Sequence, residues 1–351
     1  MPAAAGFSIF HFEDLPVKKL LLIATGGTIA CSAADDGLSP VFCADQLLSH
    51  LPDIHTLCQI DSCSLMAIDS TDMTPERMAR IAETIFQNYQ DYDGFIVTHG
   101  TDTLGYTSAA LTYMLPNIGK PVVVTGSQLA IEARYTDAKV NISDAIRFAL
   151  EGKPGIFVAF DGKIINGTRA KKIKTQSMDA FASVNFPLVA EIKLGRVIYN
   201  NVLALDGYAA TLNSCSPAPF DLRNSFCDDV FLLKISPCIK ADFLAPLKQN
   251  CRGVVIEGFG IGGIPGTLLS AIEDLIKAGI AVVIGTQCLE EGVDLDVYEV
   301  GQNLAQYDVI YAGDMTSEAL VMKLMWALGN CDTLPAVKAF METPVFGDRM
   351  N

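Results

Sequence analysis

The chain has 351 residues, half of them apolar and 19% charged, so it is too hydrophobic for a disordered protein and long enough for about two domains. Its 25 basic and 40 acidic residues give a net charge of −15, which argues against nucleic-acid or anionic-membrane partners, because both need a basic surface. The apolar run Leu20–Ala24 is much shorter than the roughly 20 residues that cross a bilayer. The N-terminus lacks a signal-peptide pattern, so we expect the mature protein to begin near Met1.

In the first part of the chain, short apolar runs that end in Gly, Thr or Ser alternate with segments of helical periodicity. This alternation is typical of a parallel sheet built from βαβ units. The predicted strands are Lys19–Thr25, Gly94–His99, Pro121–Gly126 and Gly155–Phe160. The predicted helices are one that begins at Pro75 behind an N-capping Thr74, one over Thr103–Leu115 and one over Asp137–Leu150.

The periodicity fails between Asn213 and Asp229, a stretch rich in Ser, Pro and Asn, which predicts a linker over 213–229. We therefore expect an N-terminal α/β domain over 1–212 and a C-terminal α/β domain over 230–351. The fold class is α/β, with a larger N-terminal, mostly parallel sheet flanked by helices and a smaller C-terminal parallel domain. The predicted elements of the second domain are strands Val230–Ile235, Gly253–Ile256, Ile280–Ile284 and Val309–Ala312, with helices Leu268–Lys277 and Thr316–Leu328.

The ten cysteines include no CxxC pair, and several lie in strand-like apolar runs. In a chain of this length, such a distribution favours reduced thiols over a disulfide framework. We therefore expect a cytoplasmic protein.

Two turns with hydroxyl and glycine residues follow predicted neighbouring strands. The first reads Thr25-Gly26-Gly27-Thr28-Ile29, and the second runs from Thr98 to Thr103 as THGTDT. Ligand sites of open parallel sheets lie at the carboxyl ends of the strands. Glycines there allow the backbone to approach a ligand and to point N–H groups at an oxyanion, as acyl transfer requires. One such turn by itself is more often a tight strand-to-helix connection with a capping threonine.

Taken together and in this order, the two turns resemble those of the bacterial-type L-asparaginases, and the resemblance covers nearly the whole chain. It is closest to the cytoplasmic type I branch, whose DSSDM segment is similar to Asp69–Met73. Lys172, nine residues before Phe181, lies in a segment that also resembles the family. The other similar segments are Val124–Ser127, Asp179–Asn185, Gly285–Cys288 and Gly313–Glu318.

The resemblance implies hydrolysis of L-asparagine to L-aspartate and ammonia, with neither cofactor nor metal. Thr28 would be the nucleophile and would form an acyl-enzyme. Thr101, Asp102 and Lys172 would form a second set, in which the lysine beside a carboxylate tunes Thr101 to move protons or to direct water.

The resemblance also implies how the amino-acid substrate is held. Asp102 would bind the α-ammonium, and Ser70 with nearby backbone N–H groups would bind the α-carboxylate. Asp69 and Thr71 would flank that contact, and Ser127 would line the amide end. The family's subunits complete their sites within dimers, so a homodimer or homotetramer is expected.

The sequence departs from the family pattern at several positions. Many members have a tyrosine on the loop after the first threonine, but here Leu38 stands ten residues after Thr28. Tyr298 matches a tyrosine of type I second domains and is the predicted substitute. Lys171 and Glu257 match poorly at the effector site of some type I enzymes, which puts allostery in doubt. His99 has no catalytic part in the family and is interpreted as structural.

Three alternatives remain open. Gly258–Gly263 fits the GxGxxG pattern of dinucleotide-binding proteins, although the acid expected roughly 20 residues further on is missing. An amidase subunit could act on another amide, such as glutamine or the substrate of archaeal glutamyl-tRNA amidotransferase. That subunit carries a long N-terminal extension and a tRNA-handling partner, whereas 18 residues precede Lys19 here. The third alternative is a binding protein that retains the fold without activity.

Overall fold

The structure is a computed structural model that describes residues 17–34, 37–40, 43–204, 219–294 and 306–350; within 31–40 it describes the backbone alone. The first domain is built on an eight-stranded sheet with strand order β12-β11-β8-β7-β6-β5-β1-β4. Strands β4, β1, β5, β6 and β7 run parallel, and β8, β11 and β12 extend the sheet in antiparallel pairs. The strands of this sheet are β1 (Lys19–Gly26), β4 (Gln59–Ile68), β5 (Gly94–Thr98), β6 (Pro121–Thr125), β7 (Gly155–Phe160), β8 (Lys163–Asn166), β11 (Ala190–Lys193) and β12 (Arg196–Tyr199).

Two small hairpins accompany this sheet. One pairs β2 (Cys31–Ala34) with β3 (Gly37–Pro40), and the other pairs β9 (Ala170–Lys172) with β10 (Phe181–Ser183). The helices of this domain are α1 (Ala44–Ser49), α2 (Pro75–Gln87), α3 (Leu104–Met114) and α4 (Ala138–Leu150). They cover both faces of the sheet, so β5, β6 and β7 are buried along their whole length. Strands buried on both faces read as continuous apolar runs, which is why the sequence revealed them.

The second domain has a four-stranded parallel sheet in the order β13-β14-β15-β16. Its strands are β13 (Val230–Lys234), β14 (Gly253–Gly258), β15 (Ala281–Thr286) and β16 (Ile310–Tyr311). Its helices are α5 (Leu247–Asn250), α6 (Leu269–Lys277), α7 (Ser317–Asn330) and α8 (Leu334–Glu342). The predicted class of two α/β domains, a larger one with a mostly parallel sheet and a smaller parallel one, is confirmed.

The two domains share apolar and buried ionic contacts. Met322, Met325 and Trp326 of α7 belong to the same core cluster as the first domain's α2 and α3. Beyond α8, the segment Thr343–Met350, here called the C-terminal strap, returns to the first domain. Within it, Asp348 pairs with Lys323 at 2.7 Å, and neither side chain is exposed to solvent. The domains therefore form one closely packed unit.

The predicted elements of both domains agree with the structure to within a few residues at each end. The strand β4, the short strands β8–β12 and helix α8 were not predicted. The predicted linker 213–229 lies partly outside the described residues, so its bounds stay a prediction. In the part of the chain that the structure describes, no helix is long and apolar enough to cross a membrane.

Candidate active site

The glycine turns after β1 and β5 are in direct backbone contact. Gly27 has a φ of +79°, and a Cβ atom on it would lie 2.3 Å from the Cα of Gly100. A Cβ on Gly100 would lie 2.6 Å from the Oγ of Ser70, which follows β4. Side chains at either glycine would therefore push the three strand ends apart. Because Thr28 and Thr101 directly follow these glycines, the contact brings the two threonines to neighbouring turns of one sheet edge.

Thr28 begins a single 3-10 turn, Thr28–Ala30, at the carboxyl end of β1 and is half-buried. The turn is fixed by two backbone bonds, from Gly27 N to Ile68 O at 2.9 Å and from Ala30 N to Gly27 O at 3.0 Å. The turn lies at the edge of the sheet where ligands of open parallel sheets bind.

Thr101, Asp102 and Lys172 form a hydrogen-bonded cluster. Lys172 Nζ lies 2.7 Å from Thr101 Oγ1 and 2.6 Å from Asp102 Oδ1. Thr101 is 6% exposed, whereas the Asp102 side chain is 54% exposed. The lysine thus joins a buried hydroxyl to a carboxylate that opens to solvent.

The β9–β10 hairpin determines which lysine of the basic run faces this cluster. Lys172 lies opposite Phe181 in the antiparallel register, and successive strand residues point to opposite faces. Lys171 accordingly points away and donates to both carboxylate oxygens of Glu318, each at 2.9 Å. Lys174 pairs with Asp179.

The segment after β4 supplies the other predicted binding residues. Ser70 is buried, its Oγ accepts from Asp102 N at 3.3 Å, and its carbonyl accepts from Thr103 Oγ1 at 2.7 Å. Asp69 Oδ1 accepts from the backbone N–H and the hydroxyl of Thr71 at 2.8 and 2.7 Å. These two bonds hold the pKa of the Asp69 carboxyl below its usual value, because they stabilise its charged form.

The turn after β6 brings Ser127 and Gln128 beside the same edge. Ser127 is 1% exposed, and its hydroxyl donates to Leu129 O. Gln128 lies 3.4 Å from Thr101, measured from Oε1 to Oγ1. Neither Gln128 nor Asp137, which fixes this turn, was predicted from the sequence.

His99 is fully buried beneath the turn that carries Thr101. Its Nδ1 lies 2.7 Å from Gly100 O, and its Nε2 lies 2.9 Å from Thr107 Oγ1. A carbonyl only accepts, so Nδ1 carries the proton and Nε2 accepts from the threonine. Burial lowers the pKa of His99 to about 4, so the ring is neutral at pH 7. Both nitrogens are engaged in holding the turn, as expected of a structural histidine.

Of the positions that depart from the family pattern, the structure describes the side chains of two, Lys171 and Glu257. Tyr298 lies outside the described residues, and for Leu38 the backbone alone is described, as part of β3. Lys171 and Glu257 line a cavity of about 170 Å³ at the carboxyl end of β14, where Glu257 accepts from Ser317 Oγ at 2.5 Å.

The glycine-rich segment Gly258–Gly263 closes on itself. Phe259 N donates to Gly263 O at 2.9 Å, while Gly263 N and Gly262 N both donate to Phe259 O, at 2.7 and 3.0 Å. A pyrophosphate binds to such a loop through free amide N–H groups. The N–H groups of Phe259, Gly262 and Gly263 are already bonded within the loop, which disfavours the dinucleotide alternative. Among the described residues, no group of three or more His, Cys, Asp or Glu side chains is placed to hold a metal ion.

Comparisons with known proteins give the family. Residues 19–204 match the family model "Asparaginase, N-terminal", and residues 229–341 match the "Glutaminase/Asparaginase C-terminal domain". The L-asparaginase of Thermococcus kodakarensis is 37% identical over an alignment, gaps included, of 335 residues that covers 94% of this chain and 98% of that protein. Its solved structure superposes with a TM-score of 0.88, at 36% identity, and the match covers 95% of this chain and 99% of that one.

Two further relatives bear on the branch and the substrate. The L-asparaginase I structure from Vibrio cholerae has a TM-score of 0.83 at 29% identity, with 95% of this chain and 100% of that chain covered. A subunit of the Pyrococcus abyssi glutamyl-tRNA(Gln) amidotransferase is 32% identical over an alignment, gaps included, of 355 residues that covers 96% of this chain and 79% of that protein. With both family models matched in order, the chain belongs to the asparaginase family.

Proposed function

We propose that this protein hydrolyses L-asparagine to L-aspartate and ammonia through an acyl-enzyme on Thr28. The observation that carries the proposal is the contact between Gly27 and Gly100, which brings the Thr28 turn beside the cluster of Thr101, Asp102 and Lys172. A hydroxyl nucleophile beside a second hydroxyl and a lysine is suited to amide hydrolysis.

In the first step, Thr28 Oγ1 attacks the side-chain amide carbon of asparagine. The C–N bond breaks, and the hydroxyl proton passes to the nitrogen, which leaves as ammonia. In the second step, water attacks the resulting ester, returns a proton to Thr28 and releases aspartate. Backbone N–H groups at the Thr28 turn, other than those of Gly27 and Ala30, which the turn itself uses, stabilise the oxyanion in both steps.

Charge complementarity supports an amino-acid substrate. Asp102 uses Oδ1 to hold Lys172, and no described residue is bonded to its Oδ2, which leaves that oxygen for an α-ammonium. Ser70 and the backbone N–H groups near it bind the α-carboxylate, with Asp69 and Thr71 on its flank. Ser127 lines the amide end. Removal of Asp102 should therefore raise KM as well as lower kcat.

The remaining features of the proposal concern activation and assembly. With Leu38 at the loop position, Tyr298 is the proposed group that assists the Thr28 hydroxyl. We expect a homodimer or homotetramer in the cytoplasm, without cofactor or metal. The cytoplasmic assignment is supported by the eight cysteines outside 31–40 and 205–218, all of which are free thiols.

The experiment is an ammonia-release assay with asparagine, glutamine and other amides, followed by Thr28 variants. Thr28→Ala should lower kcat at least about a thousandfold without unfolding the protein. Thr28→Ser is the matched control, because it keeps a hydroxyl, and it should retain far more activity. Mass spectrometry after an acid quench should detect an aspartyl adduct on wild type. A folded Thr28→Ala enzyme with near-normal turnover would refute the nucleophile.

The relatives from glutamyl-tRNA(Gln) amidotransferases make an amidotransferase role the alternative. The net charge of −15 opposes it, because contact with tRNA needs a basic surface. The assay separates the two functions: turnover of free asparagine by the purified chain supports the proposal. If the purified chain releases no ammonia from free amides and is active only with a partner and aminoacyl-tRNA, the result supports the alternative.

A further inference from the structure

Gln128 is held with its side-chain oxygen toward Thr101. Its Nε2 donates to Ser177 O at 3.1 Å, and its Oε1 lies 3.4 Å from Thr101 Oγ1. A carbonyl oxygen only accepts hydrogen bonds, so the amide nitrogen must face Ser177. The amide oxygen is therefore committed to the threonine hydroxyl.

The backbone of Gln128 is fixed by a buried carboxylate. Asp137 accepts from Gln128 N at 2.9 Å and from Leu129 N at 3.1 Å, one bond to each oxygen. Asn141 Nδ2 donates both to Asp137, at 3.2 Å, and to Gly126 O, at 2.9 Å. The turn that carries Gln128 is thus set by α4 before any substrate arrives, as a positioning group requires.

Gln128 matters because it takes up the single hydrogen that the Thr101 hydroxyl can donate. A threonine hydroxyl has one hydrogen to donate and two lone pairs that accept. The Lys172 ammonium donates to one lone pair at 2.7 Å, and Gln128 Oε1 is the acceptor that the described residues offer to the hydrogen. One lone pair is left over. Thr101 can accept a hydrogen from an incoming water through it, but has no hydrogen left to donate to that water.

We infer that Gln128 is a positioning residue that makes Thr101 accept a hydrogen from the water that hydrolyses the acyl-enzyme. The water then presents its oxygen lone pair to the ester carbon, while its hydrogen points at Thr101. This inference rests on the proposed function, because it assumes the ester on Thr28. The 3.4 Å separation is longer than an ordinary O–H···O bond, and contacts between catalytic groups often shorten in the complex with substrate.

The first test is Gln128→Leu, which keeps the size of the side chain and removes the acceptor. The Thr101 hydroxyl is then free to turn its hydrogen toward the water, so hydrolysis of the ester should slow about 10- to 100-fold. Acylation should change much less, so the aspartyl adduct should accumulate in acid-quenched samples, and kcat and KM should fall together. Added hydroxylamine, a stronger nucleophile than water, should restore turnover. A merely structural role would lower the active fraction without adduct accumulation.

The second test is Gln128→Glu, which keeps an acceptor oxygen and adds a negative charge near Lys172. Because the Thr101 hydroxyl keeps its acceptor in this variant, deacylation should stay within a few-fold of wild type and the adduct should not accumulate.

Gln287→Leu is the matched control. Gln287 directly follows β15 of the second domain, and its amide also bonds to backbone carbonyls, of Ile235 and Glu257. This variant should not accumulate adduct. Different results would refute the role of Gln128 and the acyl-enzyme on Thr28. If Gln128→Leu turns over like wild type while Thr28→Ala is inactive, the role of Gln128 is refuted and the proposed function stands. If no adduct forms in any variant and Thr28→Ala is active, the acyl-enzyme itself is refuted.

Discussion

Lys172 and Lys171 are adjacent on one strand, and substitution of the first should lower activity with little loss of stability, whereas substitution of the second should lower stability with little loss of activity. Lys172→Met removes the ammonium that bonds to Thr101 and Asp102, while it keeps most of the apolar stem. A positioned acid–base group contributes about 10²- to 10⁴-fold, so kcat should fall at least about 100-fold, or about 2.7 kcal/mol in activation free energy. The stability cost should be small, because Asp102 is 54% exposed and such ion pairs contribute up to about 1 kcal/mol.

Lys171→Met should do the reverse. It leaves Glu318, which is 14% exposed, without the partner that binds both of its oxygens. An unpaired, largely buried carboxylate costs about 1–3 kcal/mol of the free energy of unfolding, so Tm should fall while kcat stays near wild type. The assays are coupled ammonia release per folded enzyme and thermal unfolding. Lys174→Met, on an exposed pair, should be mild in both. Equal losses of kcat in all three variants would refute the assignment of Lys172 to the site.

Three other predictions concern activation, assembly and pH. Tyr298→Phe should lower kcat by about 100-fold or more if its phenol assists Thr28, and Leu38→Tyr should then restore part of the activity; wild-type turnover by Tyr298→Phe would make the phenol a packing group. If the subunits complete their sites within dimers, as the family resemblance implies, light scattering should find a dimer or tetramer; an active monomer at assay concentration would contradict this. Burial raises the pKa of Asp144 to about 6, above its usual value of about 3.9, so the carboxylate destabilises the fold increasingly between pH 4 and pH 6. Asp144→Asn should therefore raise the free energy of unfolding by about 1–2 kcal/mol at pH 7 and by little at pH 4. The control Asp332→Asn, at an exposed position, should leave the free energy of unfolding unchanged at both pH values. If Asp144→Asn gives the same gain at both pH values, a change in packing is the cause.

The part of the fold that could be predicted is the part that is buried on both faces. Strands β5, β6 and β7 are continuous apolar runs, and helix α2, which precedes them in the chain, begins at a clear signal, the N-capping Thr74 followed by Pro75. Strand β4 was missed because it lies at the edge of the sheet and its sequence, QIDSCSLMAI, is neither a continuous apolar run nor a regular alternation of polar and apolar residues. The antiparallel strands β8–β12 are three or four residues long, too short for any period to emerge.

Some residues of the candidate site could likewise be predicted from the sequence and others could not. Thr28 and Thr101 could be identified because each follows a glycine at a strand end, and the glycines are required by the contact of the two turns. Gln128 and Asp137 could not, since their meaning depends on how the β6 turn meets the start of α4 and the loop at Ser177. Nothing in the sequence around a single glutamine or aspartate predicts which group its side chain will contact in the folded protein.

The strand that presents Lys172 depends on the second domain for its position. Arg169, which is fully buried and precedes β9, donates through Nε to Gly347 O of the C-terminal strap at 2.6 Å. Its Nη1 pairs with Asp314 of the second domain at 3.0 Å. The strap itself is fixed by the buried pair of Lys323 and Asp348, and breaking such a pair from one side costs about 3–5 kcal/mol. Because this anchor lies three residues before Lys172, damage to the strap should displace the proposed proton-handling lysine before it unfolds the first domain's sheet. The second domain therefore contributes to the site by holding β9 in place.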